Sequence, residues 1–135
     1  MNQRAAIRLA WGLGLVSLAF AAVAFGLLLP VYSFPRVTDL PNLFNDGTSI
    51  VNALVIACFG AFLAVQRPNH LIGWLLLLAG FSSALSSASS EYSIYTMLVK
   101  PGALFGGIWV TWFQQWNWIP YVLSFGMILA LFPTG

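Results

Sequence analysis

Residues 71–89 read LIGWLLLLAGFSSALSSAS, and no Asp, Glu, Lys or Arg interrupts this run. A helix rises about 1.5 Å per residue, so roughly 20 residues cross a hydrocarbon core about 30 Å thick. Three more uncharged, largely apolar stretches lie at 9–29, 48–66 and 108–132. The pattern predicts an all-α integral membrane bundle of four transmembrane helices.

The composition agrees with a membrane location. Of 135 residues, 60% are hydrophobic and 6% are charged, and the mean hydropathy is +0.89. In soluble domains about a quarter of the residues are charged. Four spans and their connections use nearly the whole chain, so we treat 1–135 as a single transmembrane domain without a soluble catalytic unit. The formal charge of +2 is scattered and excludes a nucleic-acid footprint.

The positive residues set a preferred orientation, because Lys and Arg near short loops tend to remain in the cytoplasm. Arg4, Arg8 and Arg67 fall on one side of the membrane, whereas Arg36 and Lys100 fall on the other. Both termini are therefore predicted to be cytoplasmic, N-in and C-in. The turn after Arg67 is very short, which predicts an antiparallel hairpin of helices two and three.

The first apolar stretch also has the features of a secretory signal, since Arg4 and Arg8 precede an apolar run. A signal core has roughly 7 to 15 residues. The run 9–29 is longer, so we favour a retained first helix.

Two outer loops are predicted at 33–47 and 90–107. The first is rich in turn-forming Pro, Asn and Gly. The first half of the second has helical spacing, which suits either an extension of helix three or a helix along the interface. Because Asp39, Asp46 and Glu91 fall in these connections, no span contains a charged residue. That placement argues against a proton pump or an ion-coupled transporter.

Helix three carries small residues at helical spacing, which place hydroxyls and small side chains on neighbouring faces. Small faces allow close helix approach in lipid, so we interpret these residues as packing positions rather than a polar ligand or ion path. The predicted packing residues are Gly80, Ser82, Ser83, Ala84, Ser86 and Ser87.

Aromatic residues cluster at the outer end of helix four, where indole rings favour the headgroup level. An aromatic belt is the simplest interpretation, and a pocket for a lipid or an apolar small molecule is the alternative. The predicted contacts to lipid or an apolar ligand are Tyr92, Tyr95, Trp109, Trp112, Trp116 and Trp118.

The remaining polar side chains in or beside the predicted spans include four amides and one histidine. Asn52, Gln114, Gln115 and Asn117 are expected to point inward or to lie near the interface, because unpaired amides are costly in lipid. His70 lies in the short turn and is interpreted as an interfacial residue, with an axial ligand to a bound pigment as the alternative. The chain lacks a metal-ligand cluster, a phosphate loop and a nucleophile paired with a base, so we predict no metal site and no enzyme activity.

The run 67–80, RPNHLIGWLLLLAG, resembles the segment RRPxNxIGWLLLxxG in the membrane regions of certain bacterial sensor histidine kinases. Tyr92 and Tyr95 before Pro101-Gly102, and the tryptophan-rich stretch that ends LFPTG at 131–135, are similar to later segments of that family. The resemblance covers about half the chain, roughly 65–135. It implies a multi-pass protein of the bacterial cytoplasmic membrane in two-component signal transduction. The phosphoacceptor helix and ATP-binding domain of such kinases are absent, and His70 is not the phosphoacceptor.

We therefore expect a non-catalytic membrane sensor or anchor module that resembles a kinase input domain. Membrane lipids and a homodimer or a larger membrane-protein complex are the expected partners, with no nucleic acid and no cofactor. The alternative is a small accessory subunit of a respiratory or photosynthetic membrane complex, with a bound pigment or lipid. A small transporter is the third hypothesis.

Overall fold

The computed structural model describes residues 3–33 and 40–132. The described part of the chain is helical and contains no strand, which confirms the all-α prediction. Its elements in chain order are α1 (Gln3–Tyr32), α2 (Leu40–Gln66), α3 (Leu71–Ile94), a π-helical segment (Tyr95–Val99), α4 (Gly107–Gln114) and α5 (Trp118–Leu131). Three helical stretches are long and apolar enough to cross a membrane: Gln3–Tyr32, Asn42–Gln66 and Leu71–Val99.

α2 and α3 form a hairpin whose backbones approach closely. A Cβ atom added at Gly73 would lie 2.8 Å from the backbone nitrogen of Ala64, and one added at Gly80 would lie 2.7 Å from the Ala57 side chain. Gly60, on α2, likewise leaves no room for a side chain against the backbone of Leu77. Small residues on both helices therefore permit the contact, as is typical of helix pairs in lipid.

Helix α1 packs against both members of the hairpin and completes a three-helix core. Near one end, Ala10, Ala64 and Leu77 are buried together. Nearer the other end, Ala21, Ala24, Leu28, Ile50 and Ala88 form a second buried cluster.

The two ends of the three-helix core differ in charge. Arg4 and Arg8 on α1 and the turn 67–70 between α2 and α3 mark the basic end. Tyr32, Asp46 and Glu91 mark the acidic end, where α1 finishes and the first turns of α2 face the last turns of α3.

The fourth apolar stretch, 108–132, is not a single helix in this structure. Its described part forms α4 and α5, and i→i+3 backbone bonds replace the α-helical ladder between them, for example from Gln115 N to Trp112 O at 3.2 Å. Pro120 has no amide hydrogen, so Trp116 O accepts from Ile119 N instead. This is the physical reason for the break, and both segments pack against α3.

The helices also extend beyond the apolar stretches. α2 begins at Leu40, within the predicted loop 33–47, and α3 with its π-helical segment continues to Val99, within the predicted loop 90–107. A helix ends where its backbone hydrogen bonding ends, not where its hydrophobicity ends. Asp46 and Glu91 are therefore helical residues, and they belong to the helices of two candidate spans, Asn42–Gln66 and Leu71–Val99. Their placement outside the hydrocarbon region stays a prediction. Residues 34–39 of the first loop lie outside the described residues.

Candidate functional site

The polar groups of the bundle converge on a pocket at its acidic end, with a cavity volume of about 190 Å³. Three elements line this polar pocket: the start of α2, the end of α3 and the last residue of α4. The polar side chains in its lining are Asp46, Ser49, Ser86, Ser87, Ser90, Glu91 and Gln114. No Lys, Arg or His is among the described residues that line it. Oxygen-bearing groups dominate the lining.

Glu91 is the most unusual residue of the polar pocket. Its side chain is 2% exposed, although it belongs to a residue type that is almost never buried without a partner. Its Oε2 atom is buried and has no hydrogen-bond partner among the described residues. An unsatisfied buried polar atom costs about 1–3 kcal/mol, so the fold carries this group at a cost in stability.

Asp46 is held by a neighbour from another helix. The hydroxyl of Tyr32, at the end of α1, donates to Oδ2 of Asp46 at 2.6 Å. The bond links α1 to α2 across the acidic end. It fixes the aspartate in the pocket wall.

The α3 serines of the polar pocket differ from most other hydroxyl residues of the helices, whereas Ser49 on α2 donates to Asn45 O at 2.8 Å. Ser17, Ser93 and Ser124 each donate to the backbone carbonyl four residues earlier, at 2.7–2.8 Å. Within the described chain, the side chains of Ser86 and Ser87 make no such bond. Their hydroxyls remain available to the pocket.

Four of the six residues predicted to contact lipid or an apolar ligand have outward-facing side chains. Trp109, Trp112, Trp116 and Trp118 are all more than half exposed, and the rings of Trp112 and Trp116 lie 6.4 Å apart. Exposure of this kind suits an aromatic belt. The lipid contact itself stays a prediction.

The two tyrosines of that set are placed differently. Tyr92 donates to Phe105 O at 2.7 Å and, with Trp109, lines an apolar groove of about 390 Å³ beside Phe20. Tyr95 is half-buried at the start of the π-helical segment.

The residues predicted to pack helices fall into three groups. Gly80 and Ala84 are buried, as is Ser82, whose carbonyl accepts a bond from Nδ2 of Asn117 at 3.1 Å. Ser86 and Ser87 instead line the polar pocket, and Ser83 is half-buried outside it.

The predicted inward amides are also divided. Asn117 is buried and Gln114 lines the polar pocket, whereas Asn52 and Gln115 are exposed. The prediction that all four amides point inward or lie near the interface therefore did not separate the inward-facing amides from the exposed ones. Among the amides of the fourth stretch, the break after α4 decides which side chain faces inward. Pro120 is the sequence signal of that break.

His70 lies at the opposite end of the bundle from the polar pocket. It precedes α3, is half-buried, and donates its backbone N–H to Arg67 O at 2.9 Å. Trp74 holds the same turn by donating from Nε1 to Pro68 O at 3.0 Å. Among the described residues, no group of three or more His, Cys, Asp or Glu side chains could hold a metal ion.

The polar pocket was not predicted, because Asp46 and Glu91 were both placed in the connections outside the spans. The signal that could have found it was the helical spacing of Ser83, Ser87 and Glu91, which continues the serine face of α3 by one further turn. No protein-family model, curated protein or solved structure matches the chain.

Proposed function

We propose that the chain is a non-catalytic membrane sensor or anchor module, similar to the input region of a two-component sensor histidine kinase. A stimulus at the acidic, outward-facing end changes the packing of α4 and α5 on α3, and the change reaches the opposite end of the bundle. The proposed orientation has both termini in the cytoplasm. It follows the positive charges of Arg4, Arg8 and Arg67.

One observation carries this proposal: the buried hydrogen bond from Asn117 to Ser82 O. It joins the break between α4 and α5 to the middle of α3. The three-helix core is tightly packed, whereas the fourth apolar stretch is interrupted and lies on α3. Such a combination supplies a stable frame and an interrupted segment, and a switching module needs a segment of this kind whose packing a stimulus would shift.

The fourth stretch runs in a direction that would carry a change in packing from the acidic end toward the basic end. Gly107 lies against Thr96 beyond the end of α3, and Asn117 lies against Ser82 in its middle. The fourth stretch therefore runs back along α3 toward the basic end. A shift at the outer break would move α5 relative to the start of α3.

The proposal is tested with a chimera in which a histidine kinase domain of known activity follows the full chain in membranes. We expect Asn117→Ala and Trp112→Ala to change the autophosphorylation rate of the chimera. The matched control is Leu129→Ala, since Leu129 is 74% exposed on α5 and away from the break.

Kinase activity that is equal in all four chimeras would count against a sensor module. Fixed-ratio co-purification of the native chain with larger membrane subunits, together with that indifference, would favour the accessory-subunit alternative. The two outcomes therefore separate signalling from assembly.

A further inference from the structure

The polar pocket at the acidic end has the chemistry of an inorganic cation site. We propose that it binds a small hard metal cation, with Glu91 as the central ligand and the α3 serines and Gln114 as neutral oxygen ligands. This inference goes beyond the sensor proposal, because binding is a property of the chain itself and needs no signalling output.

Glu91 is a buried carboxyl group in the wall of the polar pocket. Its side chain is 98% buried, its Oε2 atom has no partner among the described residues, and it lines the pocket. A buried carboxyl oxygen without a partner is costly, and such groups in folded proteins usually have a partner. A bound cation would supply that partner.

The polar groups that line the pocket are all oxygen donors of the kind that hard cations prefer. Carboxylate, hydroxyl and amide oxygens are hard ligands, which suit alkali and alkaline-earth ions rather than the softer transition metals. Asp46 contributes a second carboxyl group in the same lining, and Tyr32 holds it in place. Two acidic groups also repel anions.

The hydroxyl groups of the α3 serines in the pocket also favour a bound cation. Ser86, Ser87 and Ser90 line the pocket, and their side chains make no hydrogen bond within the described chain. By contrast, Ser17 and Ser93 donate to the carbonyl four residues earlier, as does Ser49 in the α2 wall of the pocket. The hydroxyls of the pocket are therefore free to turn their oxygens toward a cation.

The size of the pocket narrows the ligand further. A cavity of about 190 Å³ is smaller than the roughly 300–1,000 Å³ of sites for drug-sized molecules. It accommodates a partly hydrated ion.

The position of the pocket allows an ion to enter from water. Glu91 lies twenty residues after Leu71 on the same helix, which corresponds to about 30 Å, the thickness of the hydrocarbon core. The pocket therefore lies at the edge of the hydrocarbon region. An ion reaches it without crossing acyl chains.

Binding is tested on the full chain in lipid nanodiscs by isothermal titration calorimetry. NaCl, KCl, CaCl₂ and MgCl₂ are titrated separately, after removal of divalent ions with EDTA, in N-methyl-D-glucamine chloride at constant ionic strength. We expect saturable binding of at least one of these four ions. The separate titrations distinguish a monovalent from a divalent site.

Glu91→Gln keeps the size of the side chain and removes its charge, so we expect at least about tenfold weaker binding, because loss of a ligand or its support costs about that much in metal affinity. Ser87→Ala should also weaken binding. Ser83→Ala is its matched control, because Ser83 lies one turn earlier on α3 and does not line the pocket.

The absence of saturable binding for all four ions would overturn the proposal, since it would leave the pocket to water or a proton. Binding that is unchanged in Glu91→Gln would overturn it as well. If Glu91→Gln fails to insert into membranes, the comparison of Ser87→Ala with Ser83→Ala decides, and equal affinities would refute the site. None of these results depends on the kinase chimera.

Discussion

The close contact between α2 and α3 makes a prediction that can be worked out from the distances. A Cβ atom added at Gly80 would lie 2.7 Å from the Ala57 Cβ and closer still to the Ala57 backbone. Carbon atoms in contact lie about 3.5–4.0 Å apart. Gly80→Ala must therefore push the two helices apart by roughly 1 Å near this point.

That displacement has a calculable cost. A gap of 0.5–1 Å forfeits about a quarter to a half of the attraction between facing atoms. Overpacking of a well-packed contact costs typically about 1–3 kcal/mol. We therefore expect Gly80→Ala to lower the free energy of unfolding by about 1–3 kcal/mol, and Gly60→Ala to do the same for the same reason.

Gly12→Ala and Gly26→Ala are the matched controls. Both glycines lie within α1, and an added Cβ at either position would meet nothing within 4 Å. Alanine is the better helix former by up to about 1 kcal/mol, so these variants should be neutral or slightly stabilised. The sign of the effect therefore differs between the two pairs.

The measurement is reversible unfolding in mixed micelles of mild detergent and SDS, followed by helical circular dichroism. Equal stabilities of Gly80→Ala and Gly12→Ala would refute the close approach of α2 and α3. Intermediate behaviour at Gly60 alone would localise the error to one turn of the hairpin.

Two further predictions concern the fourth apolar stretch and the orientation of the chain. Asn117→Ala should destabilise the bundle by about 0.5–1.5 kcal/mol through loss of its bond to Ser82 O, measured in the same micelles; no change would show that the bond contributes nothing. In whole cells, with Cys58→Ala as background, a membrane-impermeant maleimide should label Ala103→Cys at once and Asn69→Cys only after permeabilisation. The reverse order would contradict the proposed N-in, C-in orientation.

The three long apolar helices could be predicted because their signals are local, whereas the prediction was of a four-helix bundle. An uncharged run of sufficient length predicts a long apolar helix, and a very short turn forces its neighbour to be antiparallel. Gly80, one of the predicted packing residues, lies against Ala57. That partner, and the approach of Gly60 to the backbone of Leu77, could not be predicted, since the register of two helices depends on how both surfaces fit.

The polar pocket was not predicted, because charged residues were taken to mark the ends of the membrane-spanning helices. Glu91 was placed outside the spans, in a connection with helical spacing, and the backbone ladder of α3 continues past it to Ile94. The break in the fourth stretch escaped for a related reason. A hydropathy pattern does not show the effect of Pro120 on the backbone. The missing N–H of this proline changes the hydrogen bonding of the turn before it.

The position of the polar pocket links the cation proposal to the sensor proposal. Asp46 belongs to α2, Glu91 to α3 and Gln114 to the end of α4, so a ligand in the pocket contacts both the core and the fourth stretch. A ligand shifts a conformational equilibrium only by its difference in affinity for the two states. An ion held equally well with α4 docked or displaced would stabilise the chain without signalling. An ion that needs Gln114 in place would favour the docked state, and Gln114→Ala should then weaken ion binding and change the kinase chimera together. Weakened binding with an unchanged chimera would make the cation a structural ligand of the bundle.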